Sequence, residues 1–387
     1  MNSQTMEKFS MTHKNKDKLK LFLGILMVGM LPATSLGLDG VGMGLTYTGE
    51  GVALFSDKVD SDKYHTLDNI DFQIEFDSES MGLWSGGSAL VYLLSNSGAD
   101  ISGFAGDAQV SSNIEANTSQ RLYEIWYNQV LLDDKLELLF GFHDLNSEFY
   151  TNDCSGLFNN SSFGIGADVA ANVPVSIFNI TALGFRVSYQ PWETLNIRAA
   201  VYDGDPGDPD VDKGLNFNWD SEQGLMNIFE AQYARESKKG LHPSIWRVGT
   251  WYHSAEFVAI NTDDLERVSG NYGAYLSLDI PISEHITAFY QGGFAAADRS
   301  DVPLYAGIGI NANGLLAKRA DDVFGLGLAS ARIESAGGWE MTFEGIWSAP
   351  INDWFSLKPD IQYIMHPGGN TDAKNVLQFG LRTEFSI

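Results

Sequence analysis

Residues 71–77 read Asp71-Phe72-Gln73-Ile74-Glu75-Phe76-Asp77 and show the repeating pattern on which the prediction of the fold is built. Its apolar residues fall at every second position, and the polar residues between them form the opposite face. Strict alternation of this kind predicts a β-strand with one apolar face, and it recurs at residues 195–201, 339–344 and 377–385. Because a soluble β-sandwich also alternates, the number of strands and their connections must separate the two architectures.

Sixteen strands are predicted, most of them about ten residues long, which is the length that a tilted strand needs to cross a bilayer. Tight turns such as 133–134 and 191–194 alternate with long polar connections. Short periplasmic turns and long external loops are typical of outer-membrane barrels. The sequence therefore predicts an all-β fold, a transmembrane antiparallel β-barrel of about 16 strands over residues 38–387. The long external loops are expected at 97–119, 146–181 and 205–223, and the strands at 42–56, 67–77, 86–96, 120–131, 135–145, 182–190, 195–204, 224–235, 244–255, 270–280, 286–296, 304–313, 322–333, 339–348, 355–365 and 376–387.

Residues 1–37 have the features of a cleaved signal peptide. Four lysines between Lys14 and Lys20 precede the apolar run 21–31, and small residues follow at 32–37. This order is typical of secretory signals, and the apolar run is short for a membrane anchor. Its removal takes away five basic and two acidic residues and leaves a net charge of −29. We expect export to the bacterial outer membrane.

Charge and composition exclude several classes of function. The whole chain of 387 residues carries a net charge of −26, which repels phosphate backbones and argues against nucleic-acid binding. The single cysteine, Cys154, rules out an internal disulfide. No catalytic, nucleotide or metal motif is present, so we predict neither an enzyme nor a cofactor or metal site. The acidic run 203–210 lacks the ligand order of an EF-hand, which favours a turn-rich loop over a calcium site.

The polar faces of the strands predict a water-filled lumen. Twelve charged residues share these faces, and burying them in a dry core would cost several kcal/mol per ion. A barrel of 16–18 strands is wide enough to hold water. The twelve are Asp71, Glu75, Glu124, Arg186, Arg198, Glu230, Arg247, Glu344, Lys358, Asp360, Arg382 and Glu384. Aromatic residues near strand ends are expected to face lipid at headgroup level, namely Tyr123, Trp246, Tyr252, Trp347, Trp354, Phe355 and Phe385.

From about residue 120 onward the chain resembles the carbohydrate-selective porins of the OprB family. Its departures are Asn179, where the family tends to have proline, and the terminal Ile387. The resemblance implies a sixteen-stranded outer-membrane channel for sugars, commonly a homotrimer, in contact with outer-membrane lipid and lipopolysaccharide. The stretches that carry it are Tyr123–Gln129, Gly141–Phe149, Gly156–Asp168, Ser176–Arg186, Tyr202–Pro209, Trp251–His253, Asn271–Tyr275, Ala320–Gly327, Leu357–Tyr363 and Pro367–Gly369.

The resemblance further implies that loop 146–181 folds into the barrel and narrows it. The loop's composition fits sugar recognition, since polar groups bind hydroxyls and aromatic residues pack on the wall. We expect hydroxyl-binding groups at Asn152, Asn159, Asn160, Ser161, Ser162 and Asp168, wall contacts from Phe158, Phe163 and Ile165, and stacking surfaces at Trp126 and Trp251. The predicted solute-binding residues of the pore constriction are Glu124, Trp126, Asp144, Asn146, Glu148, Arg186, Arg198 and Arg247.

The predicted function is passive, carbohydrate-selective diffusion of mono- or oligosaccharides through this barrel. Selection would come from pore width and from weak binding that still permits exit. A general-diffusion or cation-preferring porin without sugar specificity would also suit the acidic excess. An outer-membrane lipid hydrolase and a soluble β-sandwich lectin are two further hypotheses. The hydrolase would need a Ser/His dyad at the outer rim, and no local motif supports one.

Overall fold

A computed structural model of the chain describes residues 38–56, 63–217, 222–237, 241–260 and 266–387. The predicted signal peptide lies outside these residues. Sixteen antiparallel strands form one closed barrel, in which each strand pairs with its neighbours in sequence and β1 pairs with β16. The strands are β1 Val41–Phe55, β2 Tyr64–Asp77, β3 Gly87–Gly98, β4 Ser119–Leu131, β5 Leu136–His143, β6 Ala182–Trp192, β7 Leu195–Asp203, β8 Leu225–Arg235, β9 Ser244–Val258, β10 Arg267–Pro281, β11 Ile286–Ala295, β12 Leu304–Asn313, β13 Val323–Ile333, β14 Gly338–Asn352, β15 Phe355–Met365 and β16 Val376–Ser386.

The predicted fold class is confirmed, and all sixteen strands lie where the alternation placed them. The differences are confined to strand ends, as in β14, which continues to Asn352 beyond the predicted end at 348. Closure pairs each strand on both sides, so the barrel has no exposed edge strand that could pair with another chain. In the part of the chain that the structure describes, no helix has the length and apolar character to span a membrane.

The outer face of the barrel is apolar, as the alternation requires. Phe72 lies opposite Leu93, and Ile74 lies opposite Val91, on neighbouring strands of that face. A group of aromatic side chains lies at the end of the barrel where short turns connect the strands. There Phe355 stacks on Phe385 at 4.6 Å between ring centroids, and Trp354 stacks on Phe385 at 6.1 Å. Exposed aromatic rings at this level are typical of the bilayer interface.

Tyr123 was predicted to face lipid, and this is wrong, because its ring lies inside the barrel. It is 3% exposed, and it packs edge-on against the ring of Tyr92. Tyr92 pairs with Glu124 and Leu93 pairs with Leu122, so Tyr123 is the extra residue of a β-bulge. A bulge breaks the alternation and turns two successive side chains, Tyr123 and Glu124, to the same side.

The connection between β5 and β6, residues 144–181, is the constriction loop, and it folds into the barrel. It contains α2, Ala167–Ala170. Phe158 and Phe163 pack 4.6 Å apart between ring centroids, and both rings contact Phe289 on the inner wall. Ile165 is buried in a neighbouring apolar cluster together with Tyr275 of β10. The expected wall contacts of the loop are therefore present.

A second inner loop, residues 99–118 between β3 and β4, also enters the barrel, which the sequence did not predict. It begins with α1, Ile101–Ala105, where the Asp100 side chain caps the helix by accepting from the Gly103 N–H. The Ser111 carbonyl of this loop accepts a hydrogen bond from Gln362 of β15 at 2.7 Å. The two inner loops also bond to each other, because Asn113 donates its backbone N–H to the Asn159 carbonyl. The second inner loop thus lies along β14, β15 and β1, and it meets the constriction loop at Asn159.

Candidate solute-binding constriction

A row of alternating charges crosses the inner wall beside the start of the constriction loop. Arg186 of β6 lies between Glu137 of β5, at 3.1 Å, and Glu148 of the loop, at 2.6 Å. Arg198 of β7 follows, since it donates to the Glu148 carbonyl at 2.7 Å and lies 3.6 Å from Glu230 of β8. The predicted residues Glu148, Arg186 and Arg198 are therefore brought together, whereas the sequence did not single out Glu137 and Glu230 as parts of this site.

These charges differ in their access to water. Glu148 and Arg198 have side chains that are 21% and 19% exposed, whereas that of Arg186 is 5% exposed. Although burial works against the charged form of Glu148, Arg186 and the other neighbouring cations outweigh it and hold the pKa of Glu148 below its ordinary value. Glu148 is thus ionised at neutral pH and presents its charge to the lumen.

A second group lies next to this row on β4. Trp126 is half-buried, and its indole N–H donates to Glu124 at 2.7 Å. Asp144 accepts hydrogen bonds from the Tyr123 hydroxyl and from the Asn146 backbone N–H. Burial raises the pKa of Asp144 to about 6. A half-exposed aromatic face beside carboxylate oxygens is an arrangement that suits a sugar, which has apolar C–H patches and hydroxyl donors.

Two predicted site residues have structural contacts instead of open surface. Asn146 stabilises the constriction loop internally, because its side-chain amide donates hydrogen bonds to the carbonyls of Phe149 and Gly164. Arg247 is buried and lies 2.8 Å from Asp279 and 3.6 Å from Asp153. Its guanidinium therefore fixes the loop to β9 and β10.

The polar side chains of the constriction loop were expected to bind hydroxyls, and for most of them the structure overturns this. Asn152 donates to Ser277, Asn159 donates to Asp360, and the Ser162 hydroxyl donates to Asn160 within the loop's own turn. The reason is that the loop lies flat on the wall, so its polar groups bind protein groups. The buried residues of this set are Asn152, Asn159, Asn160, Ser162 and Asp168.

Trp251 does not offer the expected stacking surface either. It is 3% exposed and packs in an apolar cluster with Tyr150 and Tyr275 under the constriction loop. The inner loops cover much of the wall, so many of the predicted inner-face charges are buried against protein. Of the twelve inner-face charges, those that are buried are Glu124, Arg186, Glu230, Arg247, Glu344, Asp360 and Arg382.

One contact resembles part of a hydrolase site and has a structural explanation. Ser147 lies 3.1 Å from His143 Nε2, and His143 Nδ1 lies 2.8 Å from the Tyr202 hydroxyl. The Ser147 hydroxyl donates to the Asp144 carbonyl at 2.7 Å, so it closes a local turn. Within the described ranges, no three His, Cys, Asp or Glu side chains are grouped to hold a metal ion.

A closed sixteen-stranded barrel with an apolar outer face and a loop folded into a charged lumen defines a porin. The family model described as carbohydrate-selective porin, OprB family, matches residues 61–387. The chain belongs to this family, and it is a carbohydrate-selective channel of the outer membrane. The fold, the family and this general function were all predicted from the sequence and are confirmed.

Individual relatives are distant in sequence and similar in fold. Porin B of Pseudomonas aeruginosa is 20% identical over 404 residues, which cover 91% of this chain and 88% of that protein. The high-pH structure of Pseudomonas putida OprB superposes with a TM-score of 0.82 at 18% identity, covering 90% of this chain and 94% of that one. The low-pH structure of the same protein gives 0.60 at 15% identity over 99% and 100% of the two chains.

Proposed function

We propose that sugars diffuse passively past the charge row that the start of the constriction loop forms with β5–β8, where they bind weakly and leave again. The observation that carries this proposal is the row from Glu137 to Glu230, in which carboxylates and guanidinium groups alternate. Such a row offers both acceptors and donors to successive hydroxyls of a sugar. Trp126, at the edge of the row, offers a ring face for the C–H side of the sugar.

The eight predicted residues divide into two roles in this proposal. Trp126, Asp144, Glu148 and Arg198 reach open space and contact the solute. Those that support them are Glu124, Asn146, Arg186 and Arg247. Each charged hydrogen bond contributes about 1.5–3 kcal/mol, but the sugar's loss of translational and rotational freedom offsets most of the sum, so we expect affinities in roughly the millimolar range.

The proposal extends to assembly and export. The resemblance to OprB-type channels supports a homotrimer in contact with lipid and lipopolysaccharide. The composition of residues 1–37 supports cleavage of a signal peptide before insertion. The protein performs no chemistry on its solute, since a channel needs only a path and weak binding along it.

Single-channel recording in planar bilayers tests the function. Mono- and oligosaccharides should reduce the current in a saturable manner. Trp126→Ala and Arg198→Ala should weaken this block while the open-channel conductance stays equal or rises. A current that sugars reduce only in proportion to solution viscosity would favour the general-diffusion porin. A block that both variants retain unchanged would move the site to the outer loops.

A further inference from the structure

Four carboxylates of the inner wall share an unusual set of hydrogen-bond donors. Each accepts backbone N–H groups from a connecting loop that folds into or over the barrel. We name them the loop anchors, and they are Glu230 on β8, Asp279 on β10, and Glu340 and Glu344 on β14. All four are at least 96% buried. Buried backbone N–H groups need hydrogen-bond acceptors, and loop segments without regular secondary structure cannot supply them all. The four side chains provide these acceptors.

Glu344 holds the segment of the constriction loop that follows Phe158, one of the rings of the aromatic cluster. Its two oxygens accept from the backbone N–H groups of Asn159 and Asn160, at 2.7 and 3.1 Å. The anchored pair lies between Phe158 and Phe163, which pack on the wall. Carboxylate acceptors make stronger hydrogen bonds to N–H groups than neutral acceptors do. The position of the constriction loop along the wall is thus fixed by two hydrogen bonds at Glu344 and by apolar contacts of the two phenylalanine rings.

Glu340, four residues earlier on the same face of β14, holds two other loops together. It accepts from Ala108 and Gln109 of the second inner loop, at 2.8 and 3.0 Å. It also accepts from Gly368 of the β15–β16 connection at 2.6 Å. Neither Glu340 nor Glu344 lies within 4.0 Å of a basic side chain in the described ranges. In the described ranges, the groups that donate hydrogen bonds to these two side chains are N–H groups of the protein.

Glu230 and Asp279 hold the first half of the constriction loop in the same way. Glu230 accepts from the Tyr150 N–H at 3.0 Å. Asp279 accepts from the N–H groups of Asp153 and Cys154, at 3.3 and 3.2 Å. Along the loop, the anchors thus alternate with buried aromatic contacts from residue 150 to residue 163.

We propose that Glu344 is a positioning residue that sets the width of the pore, and hence the size of sugar that passes, by fixing Asn159 and Asn160 against β14. It acts through the loop backbone and does not touch the solute. This inference rests on the proposed function for the identity of the solute, but the width itself is measurable with ions alone.

The first test is Glu344→Gln in the full-length protein. A glutamine has one acceptor oxygen, and its NH₂ group would face one of the two N–H donors. One of the two hydrogen bonds that Glu344 accepts is therefore lost. The matched control is Glu384→Gln, which makes the same side-chain replacement at a half-buried inner-face residue of β16 that has no hydrogen bond to either inner loop in the described part of the chain. We expect Glu344→Gln to raise open-channel conductance roughly 1.5-fold or more and to weaken oligosaccharide block about threefold. Glu384→Gln should change ion selectivity alone.

A second pair of variants tests the same contact from the loop side. Asn160→Pro removes the N–H that Glu344 Oε2 accepts, and the native φ of −63° suits proline. Asn160→Ala keeps that N–H but, like proline, removes the side-chain cap on the Ser162 N–H. Asn160→Pro should therefore widen the pore more than Asn160→Ala does.

Barrel integrity is checked by heat-modifiable migration on gels, which only variants with a closed barrel retain. The inference is overturned if Glu344→Gln matches Glu384→Gln in conductance and Asn160→Pro matches Asn160→Ala. A wild-type channel that no sugar blocks would refute the proposed function, while the conductance comparison would still decide the role of Glu344.

Discussion

Glu148→Gln is the substitution that most directly tests the charge row at the constriction. Arg186 would lose a partner at 2.6 Å but keep Glu137 at 3.1 Å, so the guanidinium is not left unpaired. Arg198 keeps its hydrogen bond to the Glu148 carbonyl, which the substitution does not change. The loss of one charged hydrogen bond, of about 1.5–3 kcal/mol, should therefore fall near the lower end of that range and leave the barrel folded.

The effect on ions follows from the charge that is removed. In water, one unit charge acts on an ion at 4 Å with about 1 kcal/mol, which corresponds to about a fivefold change in local ion concentration. Glu148→Gln should thus lower the ratio of cation to anion permeability by several-fold. For sugars, the loss of a charged acceptor for a hydroxyl should raise the dissociation constant roughly three- to tenfold.

The assay combines reversal potentials in a salt gradient with titration of oligosaccharide block. The control is Glu384→Gln, the same replacement at a half-buried inner-face carboxylate of β16 that lies outside the charge row. This control should leave the block intact. If Glu148→Gln has the reversal potential and the block of the wild type, the charge row does not line the path of the solute.

Three further expectations follow from the same structure. The wild-type pore should prefer cations, with the preference falling as salt screens the lumen, and a reversal potential of the opposite sign would show that the arginines dominate. Circular dichroism of the detergent-solubilised protein should be dominated by β-structure, and a helical spectrum would contradict the barrel. Burial raises the pKa of Asp168 in the constriction loop to about 7, with Tyr150 as its hydrogen-bond partner at 2.9 Å. Because the folded loop then holds a proton that the unfolded chain releases near pH 4, its stability should fall between about pH 4 and 7 and level off above. Asp168→Asn should reduce this dependence of loop protease resistance on pH, most clearly between about pH 6 and 7, above the raised pKa of Asp144.

The strands were predictable because the alternation that defines them is local. In residues 71–77, seven positions are enough to show an apolar and a polar face, and the structure places this run in β2. The same rule failed at Tyr123, where one extra residue in β4 reverses the alternation. A bulge leaves no composition signal of its own, so counting positions along β4 could not reveal it.

The constriction was predictable in outline and not in detail. Alternation placed Glu230 and Glu344 on the inner face, but it could not show that each would meet a loop backbone distant in sequence, such as Glu344 at Asn159. For residues 99–118, a polar composition suits an external loop and an inner loop equally well. What distinguishes them is the partner on the wall, such as Glu340, and that pairing emerges only when the barrel closes.

The loop anchors also change how the net charge of this channel should be understood. The formal net charge of −29 of the predicted mature chain suggests a pore that strongly attracts cations. Part of that formal charge, however, belongs to carboxyl groups that accept hydrogen bonds from backbone N–H groups. Glu340 has four N–H partners and is completely buried, so little of its field reaches the lumen. Glu75 and Glu384 are instead accessible on the inner face and contribute to the field that ions meet. Neutralising an anchor should therefore change the width of the pore, whereas neutralising an accessible carboxylate should change its selectivity, because the two sets differ in whether protein or water surrounds the charge.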